Sequence, residues 1–595
     1  MDRNLILALV LTALILLGWD ALVVGPQREA ALERERTQGI EAAERAGAGA
    51  QLDVPAVDAT LDRVQALALA PGRVPIDTRA LTGSINLRGA ALDDVSLKRY
   101  HITPDEDSPL VTRLSPRRSE GAQFVVPGVT IDDAAGAGDV WTVAEGEALT
   151  DTTPVTLQRR VGDAVHRLTF TVANDYLIET THEVMNRGGE TLVVQPYARA
   201  IQSGLPDNLV SGIVFEGPIA VAGGTLNEVK YRALAKKADK AFDLEGTGGW
   251  AGLASKYWLT AAVPPQGTPF EARVDRADAG VPVFDASYFL APATLAPGAT
   301  LAAGGYVFVG PKRVDLLSDY EDAYGIARFD DAIDWGFLFF LTRPIFWGLS
   351  HFAALFSSVG LTWAWGLAIL ALTLVIKALL FPLANASYRS MAAMRKLSPE
   401  IQALREKNDG DQVKTQQEMM ALYKKHKVNP AAGCLPILAQ MPIFFALYKV
   451  LFTTIELRHQ PFLYVRDLSE QDPTTVFNLF GLLPYDPTVL PVIGAFLGIG
   501  VLPLLMGVAM WVQTKLNPPP PDPMQAKIFG LMPFIFVFIF APFAAGLVLY
   551  WFWNTLLGVI QQYVIMRRAG ADVDLLGNMR SSFRRKAKPA EAPAE

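Results

Sequence analysis

The chain has a single cysteine, Cys434, in 595 residues. It lies in a late apolar run, so disulfides cannot hold the long soluble-looking stretch before it, and thiols do not reveal the compartment. No G-x-x-x-x-G-K-[ST] loop occurs, so nothing points to ATP-driven work by this chain. Charged residues make up only 19% and the net charge is −7, which gives no global reason to bind nucleic acid. Acidic residues are missing from the five apolar blocks of the second half, where Glu456 and the acids near Asp331 lie at or beyond the ends.

What is present divides the chain in two regimes. Residues 5–24 form an apolar run long enough to cross a bilayer. It ends in "GWDALVVGPQ" with no convincing cleavage site, which reads as an uncleaved anchor over residues 1–25. Residues 26–55 are Ala, Glu and Arg-rich and then Gly-rich, as in a linker. From 56 to 330 the pattern is short alternating runs. In "HRLTFTV", Leu168, Phe170 and Val172 alternate with Thr169 and Thr171, and "ANDY" turns the chain into "LIETTHEV". This period of two predicts half-buried strands and a large all-β sandwich.

Residues 331–360 read as an interfacial amphipathic helix, rich in aromatics and containing Arg343 and His351. A core follows over 361–568, with spans expected at about Trp363 to Phe381, Gly433 to Ile455 and Val489 to Val512, and two more in Ile528 to Met566 hinged at "APFAAG". With the anchor this makes six transmembrane helices. Residues 382–432 carry nine Lys or Arg against five acids, 456–488 two against five, and the tail from Arg567 seven against four. The positive-inside rule then places both termini in the cytoplasm and the β domain outside.

Between the second and third spans, at about 384–430, a basic helical hairpin is expected, with Ser398 as a cap, Pro399 at the first helical position and "NDGD" as the turn. It is either a solvated loop or a contact surface for nascent chain, ribosome or anionic lipid. Residues 569–595 form a basic cytoplasmic tail.

The most informative residue is Lys377, alone in "ALTLVIKALLFPLA". A lysine at the bilayer centre costs roughly 2.5–3.5 kcal/mol on insertion scales. Either it snorkels past Pro382 to the headgroups, or it faces a hydrated cavity. Thr373 lies one turn away on the same face, and Gln440, Asn554, Thr555 and Gln561 are further uncharged polar groups in the apolar blocks. A cavity with a cation and no fixed anion attracts a mobile one.

The ordered strings "QEMMALYKKHKVNPAAGCLPILAQMPIFFALYKVL", "ELRHQPF", "DPMQAKIFGLMP" and "GLVLYWFWNTLLGVIQQ" resemble the YidC-type membrane protein insertases of the YidC/Oxa family, closely over about 330–568. The resemblance implies a protein without catalytic residues, cofactor or metal. Five helices would enclose a hydrophilic groove open to cytoplasm and lipid, acting on nascent membrane proteins in the bacterial inner membrane. The Sec translocon, the ribosome and membrane lipids are the implied partners, with no direct nucleic-acid contact. It carries a groove role to Lys377, where the family usually has arginine, and to Thr373. Phe444, Tyr550 and Trp551 match positions that touch the emerging substrate helix. The outer region resembles a periplasmic β-supersandwich similar in fold to sugar-binding and mutarotase proteins. A small-anion transporter or channel using Lys377, and an anchored sugar-active enzyme prompted by His101, His166 and His182, are the competing readings.

Overall fold

The computed structural model describes residues 61–571 and Gly577, apart from 71, 133, 135–137, 207–208, 210–213, 409–410, 427, 430–434, 484, 486, 491–493 and 518–522. The expected anchor, linker, Cys434 and nearly all of the basic tail lie outside the described residues. Within them the chain forms two compact units: residues 61–335 with Thr453–Glu456, and residues 336–452 with 457–571.

The first unit is a sandwich of a ten-stranded and a nine-stranded antiparallel sheet. The alternation in "HRLTFTV" becomes the strand Ala164–Asn174, paired with Leu177–Asn186. Leu168 and Phe170 point inward as expected, while Val172 is only half-buried. One core cluster draws Ala164 and Val184 from the nine-stranded sheet and Val129, Val194 and Leu295 from the ten-stranded one, so the sheets meet through their apolar faces. The helix Val314–Tyr324 closes the unit. Its N-cap residue, Arg313, makes no side-chain cap bond. Instead the Val314 amide donates to Glu456 Oε1 at 3.0 Å. Burial pushes the Glu456 carboxyl up to about 7.

Inside the sandwich the same alternation buries polar groups. His166 and His182 are fully buried, with His166 Nδ1 and His182 Nε2 3.1 Å apart. Their rings meet Trp141 edge-on at 6.2 and 5.6 Å. The Arg159 guanidinium lies 4.8 Å from the centre of that tryptophan ring and pairs with Asp139 at 2.5 Å. His166 Nε2 and His182 Nδ1 have no hydrogen-bond partner among the described residues. Protonating either ring therefore adds an N–H with no acceptor, close to a cation. Burial, reinforced by Arg159, pushes His166 down to about 4, and burial with His166 holds His182 well below the usual histidine range.

The second unit is helical. We label α1 Phe339–Ser358, α2 Ala364–Leu379, α3 Phe381–Lys396, α4 Ser398–Lys407, α5 Gln412–Lys425, α6 Leu435–Thr453, α7 Val501–Leu516, α8 Pro523–Phe540 and α9 Ala545–Arg568. Helix α1 buries Thr342, Ile345, Phe346, Leu349 and Ala353, spaced along one stripe, and packs on α2. Among the described residues no single helix is long and apolar enough to cross a membrane. Helices α2 and α3 together have that length and composition, but they are bent by 67°. Pro382, in the first turn of α3, lacks the N–H that would continue α2. The block expected from Val489 becomes the long helix α7 only from Val501.

The hairpin forms as α4 and α5, and Asp411 caps α5 by accepting the Lys414 amide at 3.0 Å. Ser398 is not the cap of α4. That position is Leu397, and no side chain caps the helix, because α3 runs almost directly into α4 and leaves no extended residue for a serine to occupy.

The histidine pair sets a pH dependence with a definite sign. Both groups have folded-state values below the unfolded one, so their neutral forms stabilise the sandwich fully above about pH 6.5. That stability is lost as pH falls from about 6.5 towards 4, by roughly 3 kcal/mol for His166 alone. Thermal unfolding of the detergent-solubilised protein should show the loss, and a His166→Leu/His182→Leu double variant should be flatter with pH. An unchanged profile in that variant would contradict this assignment.

Candidate functional site

Helices α7 and α9 begin side by side because one strap, residues 467–475, satisfies both N-termini. The Ala545 amide donates to the Glu470 carbonyl at 2.7 Å and the Gly546 amide to the Leu468 carbonyl at 2.9 Å. Asp472 serves α7. Its carboxylate accepts from the Leu502 amide at 2.9 Å, from Tyr464 Oη at 2.8 Å, and from the amide and hydroxyl of Thr474 at 2.9 and 2.6 Å. Thr474 Oγ1 in turn accepts the Val501 amide at 3.0 Å. The N-cap residue is Gly500, and a Cβ there would sit 2.3 Å from the Asp472 carboxyl carbon. Only glycine lets the carboxylate reach the helix end.

Farther along these helices, Lys377 of α2 is half-buried, and no carboxylate faces it among the described residues. It lines a cavity of about 20 Å³ with Leu380, Leu383, Ala384, Tyr388, Pro436, Gln440 and Gln561. That is room for about one water-sized group. Lys377, Gln440 and Gln561, polar groups that the sequence places in separate apolar blocks, line this one cavity.

The other expected groove residues are placed around it. Thr373 is 1% exposed, and its hydroxyl donates back to the Ile369 carbonyl of its own helix at 2.6 Å. Thr555 is buried and Asn554 half-buried on α9, and neither lines the cavity. Tyr550 is buried and accepts a hydrogen bond from Gln440 Nε2 at 2.7 Å. Trp551 meets Phe444 edge-on at 4.6 Å and Phe540 at 5.1 Å, forming an aromatic cluster one turn from Gln440.

Three residues escaped the sequence reading, Tyr388, Gln513 and Gly558: a Cβ built on Gly558 would lie 3.6 Å from Lys377 Nζ, 3.6 Å from Gln513 Nε2 and 3.9 Å from Tyr388 Oη. Tyr388 follows the bend, where helical periodicity counted from Lys377 no longer applies. Gln513 sits one position beyond the expected end of its apolar block, and a polar residue in "MWVQTKL" was the available signal.

Residues 355–572 match the family described as 60Kd inner membrane protein, and residues 73–348 match the YidC periplasmic domain. A membrane protein insertase YidC from Beijerinckia indica is 43% identical, over 98% of this chain and 99% of the relative. The chain belongs to the YidC family. The YidC of Maricaulis maris is also 43% identical, with 96% and 97% covered. Among solved structures, YidC from Thermotoga maritima is similar at 15% identity and a TM-score of 0.26, covering 82% of this chain and 98% of that one. As in the YidC family, a β-rich sandwich here precedes a helical C-terminal part.

The strap is the testable part of this construction. Asp472→Ala removes four hydrogen bonds and leaves the α7 amide at Leu502 without its acceptor. Unfolding of the detergent-solubilised protein should show a loss of about 2–4 kcal/mol. A change below about 0.5 kcal/mol would mean that the helix ends are held by something else.

Proposed function

We propose that this chain is a membrane protein insertase and folding factor, acting on nascent integral membrane proteins through the polar pocket around Lys377. Full-length relatives carry the name membrane protein insertase YidC, and this supports the activity. The observation that carries the mechanism is a lysine in an apolar helix with amide and hydroxyl neighbours and, among the described residues, no facing carboxylate. A permanent internal partner would occupy the charge; its absence leaves the charge for a transient one. Polar segments of the substrate enter the pocket, which shortens the distance over which they are dehydrated, while the apolar segment partitions into lipid.

The finer topology belongs to the same reading. Residues 1–25 anchor the chain, α2, α6, α7, α8 and α9 form the core spans with α3 continuing α2 into the cytoplasm, and α1 lies at the interface. Loop charges orient both termini inward and the sandwich outward, in the bacterial inner membrane. The groove comprises Lys377, Thr373, Gln440, Asn554 and Thr555, and the substrate helix leaves along Phe444, Tyr550 and Trp551. The hairpin α4–α5 is a contact surface for ribosome, nascent chain or lipid. Its support is an open depression of about 450 Å³ lined by Val413, Gln416, Gln417, Met420, Ala421 and Lys424, in which Val413 is 68% exposed. The Sec translocon is a partner in this reading.

The test is insertion of a single-span protein with an acidic tail into liposomes holding only this protein, scored by protease protection. Lys377→Glu turns attraction into repulsion and should reduce insertion at least about tenfold, and Lys377→Arg should restore most of it. Equal insertion by all three forms would remove the charge from the mechanism. Binding or passage of a small anion without any insertion would favour a transporter.

A further inference from the structure

The ten-stranded sheet of the sandwich carries charge on the face turned away from the other sheet. In its strand Leu192–Ser203, Val194 packs into the core between the sheets, and the alternate residues Tyr197, Arg199 and Ile201 face the opposite way. The neighbouring strands place Gly128, Val126 and Phe124 beside them on one side and Phe289, Ser287 and Asp285 on the other. A Cβ at Gly128 would lie 2.5 Å from the Tyr197 ring, so only glycine leaves that ring its place. Asp93 reaches the same face, because Leu92 before it pairs with the inward Val125. Two ion pairs are closed here, Arg199 with Asp285 at 2.5 Å and Arg73 with Asp93. Arg73 Nη1 is nevertheless buried with no acceptor among the described residues.

Arg117 has no such acid. Its guanidinium lies 5.1 Å from the centre of the Phe124 ring and makes no hydrogen bond or ion pair among the described residues. Its leading charged neighbours are Arg199 and Asp93, each engaged in a pair of its own. Burial, reinforced by Arg199, lowers its guanidinium below the usual arginine value. Arg88 is a further charged neighbour, exposed, and its side chain also makes no ion pair among the described residues. The face thus holds more donors than acceptors, and two of its cations have no matching acid.

We propose that this face of the sandwich binds a dianionic phosphate group, as free phosphate or a phosphomonoester, with Arg117 as the inner contact and Arg88 at the rim. The site is separate from the insertase reading and gives the sandwich a ligand of its own. A guanidinium presents parallel N–H donors to two oxygens of one acid, and the ring of Phe124 holds the plane of Arg117 in advance. Charge selects the occupant. Two uncompensated cations suit a group with a charge near −2, which a phosphomonoester approaches at pH 7. A lone carboxylate or a phosphodiester would leave one of them unmatched.

The test is isothermal titration of the detergent-solubilised full chain with inorganic phosphate, at ionic strength held constant with chloride, and with glycerophosphoglycerol as the diester probe. Wild type should bind phosphate saturably, about fivefold tighter than the diester. Arg117→Gln should weaken phosphate binding about tenfold, with Arg117→Lys falling between it and wild type because the ammonium keeps the charge and loses the fork. Arg88→Gln should weaken binding about threefold. Because Arg88 is exposed, its variant tests the site even where Arg117→Gln does not fold. No saturable binding to wild type, or binding unchanged in the Arg117 and Arg88 variants, would overturn the proposal and leave Arg117 as a packing residue on Phe124. Diester binding as tight as that of phosphate would make a lipid headgroup the occupant and overturn the dianion assignment.

Discussion

The whole helical site depends on one buried carboxylate. Asp472 is 5% exposed and meets no cation within ion-pair distance among the described residues; it is held by four hydrogen bonds. An ionised group can be buried when donors replace its hydration, and a helix N-terminus supplies both donors and a favourable dipole. The same strap closes the N-terminus of α9 through the Leu468 and Glu470 carbonyls. Two helices pinned at one level stay in register along their length. Gln513 lies eleven residues beyond Leu502 and Gly558 twelve beyond Gly546, so at about 1.5 Å per residue both sit some 17–18 Å from the strap. Gln513 and Gly558 are therefore held at about the same level by the way the far ends are tied.

The two units use buried charge in opposite ways. In the sandwich, several buried ions are closed into pairs, among them Arg199 with Asp285 and Arg73 with Asp93. Such pairs specify geometry and are unavailable to a ligand. The His166–His182 contact is held neutral by burial beside Arg159, with no acceptor among the described residues for the N–H that protonation would add. Lys377 belongs to the other class. Its neighbours offer dipoles without a compensating charge, and that arrangement is stable only where water or a passing anion can take the remaining role.

Much of this was legible in the sequence. Period-two alternation marked the strands at 164–174 and 177–186, and "APFAAG" marked the break between α8 and α9. Lys377 stood out because a charge in an apolar run is expensive and therefore informative. Other features depend on tertiary geometry. The bend at Leu380 rotates α3 out of phase with α2, so no helical wheel drawn from Lys377 could reach Tyr388. Thr373 shares a face with Lys377 by spacing, yet its hydroxyl bonds its own backbone, a local alternative that periodicity does not exclude. Gly558 carries no pattern at all. Its importance is an absence of atoms, visible only once three other helices are placed around it.

Helix α9 also carries two unlike environments along its length. At Tyr550 its hydroxyl is tied to Gln440, and at Trp551 its ring enters an aromatic cluster with Phe444, Phe536 and Phe540. Seven residues later, on nearly the same face as Trp551, Gly558 opens onto Lys377. A segment lying along α9 would meet an apolar wall over one stretch and a polar, cationic pocket over the next, separated by about two turns. An amphipathic chain can satisfy both at once, with its apolar residues against the rings and its acidic residue at the pocket. A uniformly apolar helix gains nothing at Gly558, and a uniformly polar one gains nothing at Trp551. The two surfaces thus lie about two turns apart on one helix, whose N-terminus the strap holds through the Leu468 and Glu470 carbonyls.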